Sequence, residues 1–577
     1  MGTTSQFSHA DVIRHIPCNT RRLLLLGRDS EAVAEQFKTI NPQVFCVCLR
    51  QQTGKKNHAP AIDQWVEVDL DEGLSRLTVL QAPMDMVLVM PDTWTLVKDP
   101  RRLFKSLRRF MTKDAVCLVW APNVSSWQRM EALLRGEDLT GWVFDQPQIE
   151  NLLSDAGWTW QRTRAMQAAA PVADVVARWQ PLLQSLPEDE QVLPRLLTRH
   201  WLVTAVNGPA PPEVCIATMR APEDAQQDPM APLSHRARIT QPLAALSTLA
   251  GWHTTVLDTA LRVPPACKPS LLLLPQACWA DPAMQSLLAL KISEGWLLVA
   301  DVDHGPRRSA EGDEAAWAAL RGVHAVTVST PALAHRVAVW NPNVQWLAHA
   351  IDRIPAKPQV IPKNKQRLRV FFDGHDRAQD WPPIVQGVIA AAVHLGDGVE
   401  FVVVHDRAFH DALPKTSHKT FHPSLEPDAL AALLASCDLA LLPLVDTPFN
   451  RCQSDGRLLA CAAAGVVPIA GRVVHADTPA HHSFVKWADT PAEYMTTLIK
   501  LSKQIGELNR LVKLAHAHVS STRMQAHQAS LRRAVYEDWL ADRDHLEAQR
   551  QRRLATQAAA KAASMSAAML AGLSSGA

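Results

Sequence analysis

Asp301 and Asp303 follow the apolar run Trp296–Ala300, a spacing that delivers both carboxylates to the end of one strand. Two carboxylates so placed could orient a hydroxyl, and a buried one would have a raised pKa suited to proton transfer. They could equally cap the following turn. A second group could hold a phosphate. Gly374 follows the apolar run Leu368–Phe372 and allows close backbone approach, and Arg377 stands three residues on, at the expected start of a helix. Arg451, Ser454 and Asp455 belong to a polar loop ahead of another helix. Ser454 is read as the cap of that helix, Asp455 as its approximate start and Gly465 as its end. A helix N-terminus facing the carboxyl edge of a sheet favours an anion. Arg236 and Arg238, at the start of a further helix, could meet such an anion or lie on the surface.

These residues need a parallel scaffold. Leu439–Leu444 is continuously apolar, as in strands covered on both faces, and Val466–Ala470 reads as the strand after the glycine. The same alternation of apolar runs and amphipathic segments extends from about Arg21 onward, so the expected fold class is α/β with three Rossmann-like parallel-sheet units. Proline clusters at Pro209, Pro211, Pro212 and at Pro355, Pro358, Pro362 separate the blocks. The expected domains are 1–208, 213–360 and 365–540. An amphipathic helical part from about Ala492 to Ala541 should pack back across the last two. An Ala-rich tail, 541–577, could be partly helical but has no core to bury, so its end is expected to be disordered.

Composition narrows the function. Lys and Arg number 59 against 57 Asp and Glu, so bulk charge gives no reason to expect nucleic-acid binding. Apolar runs are far shorter than the roughly 20 residues of a membrane helix, and the N-terminus lacks a signal-peptide core, which makes cytoplasmic residence the expectation. The ten Cys contain no CxxC pair and are read as reduced, mostly buried thiols. The 23 His show no ligand spacing, so no metal site is indicated.

The second and third blocks resemble a two-lobed retaining glycosyltransferase of the GT-B type. The resemblance rests on Phe449-Asn450-Arg451, Ser454-Asp455, Ala460–Gly471, the His235–Leu243 segment with its Gln241-Pro242, and Gly374, Arg377 and Asp380-Trp381. It implies an acceptor-side lobe carrying Asp301 and Asp303, which would orient the acceptor, and a nucleotide-sugar-side lobe. Arg377, Arg451, Arg238, Gly374 and the amides near Ser454 and Asp455 would face a nucleoside-diphosphate sugar, with no metal required. Ala460 stands where family members place a ribose-binding Glu, Gln453 where many have Lys, and His349-Ala350-Ile351 where they often have Asn-Ala-Ile.

The first block resembles a class I S-adenosylmethionine-dependent methyltransferase through Met84–Met90, Asp99–Phe110, Ala115–Asn123 and Leu152–Trp158. Its cofactor loop is degenerate, since Gly27 is followed by Arg28-Asp29-Ser30-Glu31 and the second strand ends in Arg50. Asp69 and Asp71 could face an adenine or be solvated. The implied function is transfer of a sugar to a glycan or protein acceptor. A non-catalytic scaffold retaining both folds, and a bifunctional glycosyltransferase and methyltransferase, are the alternatives. The sequence leaves donor, acceptor and oligomeric state open.

Overall fold

The computed structural model describes residues 9–50, 60–71, 74, 80, 82–137, 140–167, 172–185, 191–219, 234–257, 268, 270–279, 284–305, 317–475 and 478–574. The chain divides into two compact units, Met1–Glu213 with Ser247–Trp252, and Val214–Leu246 with His253–Ala577. The first unit thus takes in Ser247–Trp252 from the expected 213–360 block, and the second holds the rest of that block with 365–540.

The first unit is built on a seven-stranded sheet of β1 (Arg22–Leu26), β2 (Phe45–Arg50), β3 (Gln64–Glu67), β4 (Met84–Val89), β5 (Met111–Pro122), β6 (Thr159–Gln167) and β7 (Thr198–Val206). Their order is β3-β2-β1-β4-β5-β7-β6. The five strands from β3 to β5 pair in parallel, and β7 runs antiparallel between β5 and β6. Leu23 to Leu26 are fully or almost fully buried, because helices and loops cover both faces of a parallel core.

The second unit has two six-stranded sheets. One contains β8 (Val214–Met219), β9 (Trp252–Leu257), β10 (Leu271–Leu274), β11 (Leu297–Val302), β12 (Ala325–Val328) and β13 (Val344–Trp346), in the order β13-β12-β11-β10-β8-β9. The other contains β14 (Leu368–Asp373), β15 (Val399–Val404), β16 (His418–His422), β17 (Leu439–Leu442), β18 (Val467–Ala470) and β19 (Lys486–Trp487), in the order β16-β15-β14-β17-β18-β19. Strand order reverses at β14, which lies between β15 and β17 in parallel register. A crevice opens at the carboxyl edge wherever neighbouring connections leave to opposite faces. Asp373 ends β14 at that edge.

The helices that matter for the cleft follow. α1 (Val385–Leu395), α2 (Pro427–Ala435) and α3 (Gly456–Ala464) flank the last sheet. The expected single C-terminal helical part is three helices, α4 (Pro491–Ser502), α5 (Ile505–Thr522) and α6 (Gln525–Ala541). α4 packs on α1, α5 on α3, and α6 on the helix Gln241–Leu246 beside the other sheet. The helical part thus returns across both sheets of the unit, as expected.

Two expectations need correction. The tail from 541 was expected to be at most partly helical with nothing to bury, yet Arg543–Ser574 forms α7. Its first half finds a surface to bind: Leu546 is buried, and Arg543 and Arg553 donate to the carbonyls of Gly295 and Val323. Composition could not show this, because the docking groups are carbonyls at loop ends more than two hundred residues away. The thiols were expected to be reduced throughout. Eight described Cys are free and buried, whereas Cys215 on β8 is disulfide-bonded.

Gly387 shows how tightly the second unit is packed. It lies in α1, and a Cβ built there would fall on the carbonyl of Pro491 at the start of α4. Neither backbone can yield without parting the helices. Gly387→Ala is expected to destabilise the second unit by about 1–3 kcal/mol or more through overpacking. A thermal or denaturant melt indistinguishable from that of the parent chain would refute that packing.

Candidate functional site

A cleft of about 850 Å³ lies within the second unit, between the carboxyl edges of its two sheets. One rim is formed by the start of α3 with the end of β14. Pro443 ends the β17 run, the chain makes a short 3₁₀ turn at Asn450–Cys452, and Asp455 is the N-cap of α3. Gly465 ends the helix at φ 75°, a left-handed conformation that glycine adopts without strain. Ser454, expected as the cap, precedes the N-cap by one residue and lines the cleft. Its Oγ accepts from the Gly456 amide at 3.4 Å.

Arg457, in the first turn of α3, is the cation that the sequence analysis missed. It lines the cleft and donates to the carbonyls of Asp373 at 3.2 Å and His375 at 2.8 Å. Burial acts to raise the Asp373 carboxyl, but the Arg457 guanidinium and a hydrogen bond from His405 hold it at about 2. The available signal was a basic residue two places after an N-cap at a sheet edge, a position where a side chain can reach across the strand ends.

Arg377 is buried and lines the cleft, and it donates to Asp380 at 3.0 Å. Burial, with Arg457 nearby, lowers its guanidinium to about 10 against the pull of Asp380. Asp380 also accepts from Asn450 Nδ2 at 2.7 Å and from the Val445 amide at 2.9 Å. The Arg377 pair therefore also anchors the loop ahead of α3.

Several predicted contacts lie elsewhere. Arg451 is exposed, pairs with Asp446 through two bonds of 2.6 and 2.7 Å, and is not among the cleft residues. Its side chain leaves the turn on the solvent side, where the nearest acid is five residues back. Gly374 is also off the cleft, and its missing side chain makes room for Asp406, which would overlap a Cβ there. Asp455 turns away from the cleft to Arg523, with two bonds of 2.6 and 2.8 Å.

On the opposite rim, Arg238 and Asp301 meet each other. Both are buried, and the guanidinium donates to the two carboxylate oxygens at 3.1 and 2.7 Å. Thr327 Oγ1 donates to Asp301 at 2.6 Å. The pair lines the cleft, but each member is the other's partner, which corrects the expectation of Arg238 facing a phosphate.

Asp303 accepts from Ser234 Oγ at 2.5 Å and is bound to His349 Nε2 at 2.7 Å. Burial would raise its pKa, yet His349, Arg238 and Ser234 together hold it well below the usual carboxylate range. The expected raised pKa is therefore reversed, since burial brought the hydrogen bonds of His349 and Ser234 and the charge of Arg238 with it. His349 lines the cleft as a side chain held by Asp303.

The remaining wall is apolar. Leu430, Ala431, Leu434 and Ala435 of α2 face Leu459, Ala460, Ala463 and Ala464 of α3. Ala460 thus stands on an apolar surface of leucine and alanine side chains. Among the described residues no group of three or more His, Cys, Asp or Glu could hold a metal ion, and no helix is long and apolar enough to cross a membrane.

In the first unit the residues do not fit S-adenosylmethionine. A Cβ on Gly27 would lie 2.6 Å from Asp92 Oδ1, and the Arg28 amide donates to Asp92 Oδ2 at 2.7 Å, so a side chain of this chain engages the turn. Arg50 at the end of β2 pairs with Glu67 at 2.8 Å. Asp69 accepts from the Asp71 amide and Asp71 from the Lys98 amide, so one oxygen of each carboxylate is engaged by its own loop.

No protein-family model and no curated protein matches the chain. Solved structures similar to it include a point variant of S. aureus TarM in complex with fondaparinux, α-GlcNAc-glycerol and UDP. That likeness has 8% identity and a TM-score of 0.36, over 46% of this chain and 55% of the other. HepE from Anabaena in complex with UDP and glucose is similar at 11% identity and TM-score 0.39, over 56% of this chain and 100% of the other. A SAM-dependent methyltransferase from Archaeoglobus fulgidus is similar at 11% identity and TM-score 0.25, over 34% and 94%. The chain spans about half the length of the TarM structures it matches. The similarities are of the two kinds named by the sequence resemblance.

Asp455 gives the site a measurable pH signature. Burial would raise its carboxyl, but His481 and Arg523 hold it far below its ordinary value, so its native pKa is lower than its unfolded one. Such a group contributes stability above the unfolded pKa of about 4, and the contribution is lost as pH falls toward the native value. Arg523→Ala should destabilise the second unit by about 3–5 kcal/mol at neutral pH, since it leaves a buried carboxylate without its guanidinium. It should also flatten the loss of stability below about pH 4. Unfolding curves at pH 3 and pH 7 check this, and an unchanged pH dependence would contradict it.

Proposed function

We propose that the second unit is a glycosyltransferase that takes a nucleoside-diphosphate sugar as donor and delivers the sugar to a glycan or protein acceptor without a bound metal. The observation that carries this reading is the convergence of the α3 N-terminus, Arg377 and Arg457 on one cleft at the point where strand order reverses. Leaving-group charge develops on a diphosphate, and fixed amides and guanidinium groups can stabilise it. In this reading the Gly456 and Arg457 amides, Ser454, Arg377 and Arg457 face the diphosphate. Gly374 and Asp380 support them, and Asp455 fixes the helix that carries them. Asp303, with Asp301 behind it, faces the acceptor side. The apolar wall around Ala460 takes the place of a ribose-binding carboxylate.

A non-catalytic binding protein is the second reading. It is favoured by one observation: Arg238 and Asp301, and Asp303 with Ser234 and His349, are bonded among themselves. The first unit is assigned no methyl transfer.

Calorimetry with UDP-sugars, joined to a UDP-release assay, separates the readings. The parent chain should bind a UDP-sugar. Arg457→Ala should weaken that binding by about 1.5–3 kcal/mol, the range for a charge-assisted hydrogen bond. Arg377→Ala should lower turnover by about 2–4 kcal/mol in barrier. Binding without turnover in the parent chain would favour the binding-protein reading, and unchanged turnover in Arg377→Ala would overturn the assignment of that residue.

A further inference from the structure

His349 lies beyond β13 and its side chain is about nine-tenths buried, yet it lines the cleft. Its backbone is fixed, because Arg523 donates to the His349 carbonyl at 3.2 and 2.9 Å. Its Nε2 is fixed too, against Asp303 Oδ1 at 2.7 Å. A carboxylate accepts only, so Nε2 carries the hydrogen. That leaves Nδ1, which has no hydrogen-bond partner among the described residues. A Cβ built on Gly456, the first residue of α3, would lie 3.2 Å from this nitrogen. From the opposite rim, an unpartnered ring nitrogen thus faces the N-terminus of the nine-residue helix that carries Arg457.

The surrounding charges single out Asp303. Asp301 on β11 is neutralised by Arg238, Asp455 at the start of α3 by Arg523, and the Arg457 guanidinium is turned to the end of β14. Asp303, on the far side of the ring, is the carboxylate in direct contact with it. In the neutral ring Nδ1 offers a lone pair, which repels an anion at the helix terminus. With a proton added it becomes a donor, and the ring a cation supported by Asp303 from behind.

We propose that His349 is a proton-gated contact to the diphosphate of the ligand in this cleft, so that ligand binding takes up a proton at Nδ1. The inference rests on the sugar-nucleotide reading and names a residue that supplies positive charge from the rim opposite Arg377. It also predicts that this chain binds its ligand more tightly on the acid side of neutrality.

UDP-glucose is the probe, because its diphosphate is esterified on both sides and does not titrate between pH 5.5 and 8. Calorimetry at pH 7 in two buffers of different ionisation heat gives the number of protons exchanged. The parent chain should take up a proton on binding, and its affinity should fall with rising pH, by up to about tenfold per unit. His349→Gln should bind without uptake and with a flat pH profile. Binding by the parent chain without net uptake overturns the inference and leaves the sugar-nucleotide reading standing, and the same holds if His349→Gln retains the uptake. No binding of UDP-glucose or any other nucleoside-diphosphate sugar at any pH overturns that reading and the inference with it. The parent-chain measurement decides the matter even where the variant folds poorly.

Discussion

One guanidinium holds the cleft in register. Arg523 forms two bonds to Asp455 and two to the His349 carbonyl, and so joins the start of α3 to the segment that follows β13. Immediately beside it, Ile351 and Met524 form an isolated parallel bridge. The groups that face the cleft from both rims depend on this junction, because Ser454, Gly456 and Arg457 take their positions from the α3 terminus and His349 from its own carbonyl. A buried bidentate pair is geometrically demanding and costly to desolvate, which makes it a weak source of net stability but a strong determinant of one arrangement.

Much of the remaining charge is paired along the same lines. Arg238 is matched to Asp301, Arg377 to Asp380, and Asp303 to Ser234 and His349. Such pairing leaves dipoles already oriented before any ligand enters, so little reorganisation is needed when charge develops in the cleft. It also explains why buried carboxylates there titrate low. Burial alone acts in the opposite direction, and for Asp303, Asp373 and Asp455 the paired cations and hydrogen bonds outweigh it. The first unit presents a contrast, since there Asp92 engages the turn that a cofactor would need.

The α/β class and the location of the sheets were legible because parallel strands covered on both faces need unbroken apolar runs, and Leu23–Leu26, Leu271–Leu274 and Leu439–Leu442 advertise themselves. Gly465 was legible for a similar local reason, as the left-handed stop of a helix. Ser454 was found at the cleft because a sheet edge followed by a helix start is a local pattern, whereas Arg377, expected at a helix start, lies in turns eight residues ahead of α1. Arg451 and Arg457 lie on either side of the Asp455 cap, and nothing local separates them. The first bonds Asp446 in solvent and the second reaches the end of β14.

By itself, then, the sequence determined which segments become strands and helices and which edge of each sheet collects the polar residues, since these follow from periodicity, caps and breakers within a dozen residues. Tertiary structure decided what those residues do. Arg238 and Asp301 are 63 residues apart, Asp303 and His349 are 46 apart, and Asp455 and Arg523 are 68 apart. Only the folded chain brings each pair within bonding distance. Whether a buried carboxylate is raised by desolvation or lowered by a cation depends on that proximity, and on nothing in its own segment.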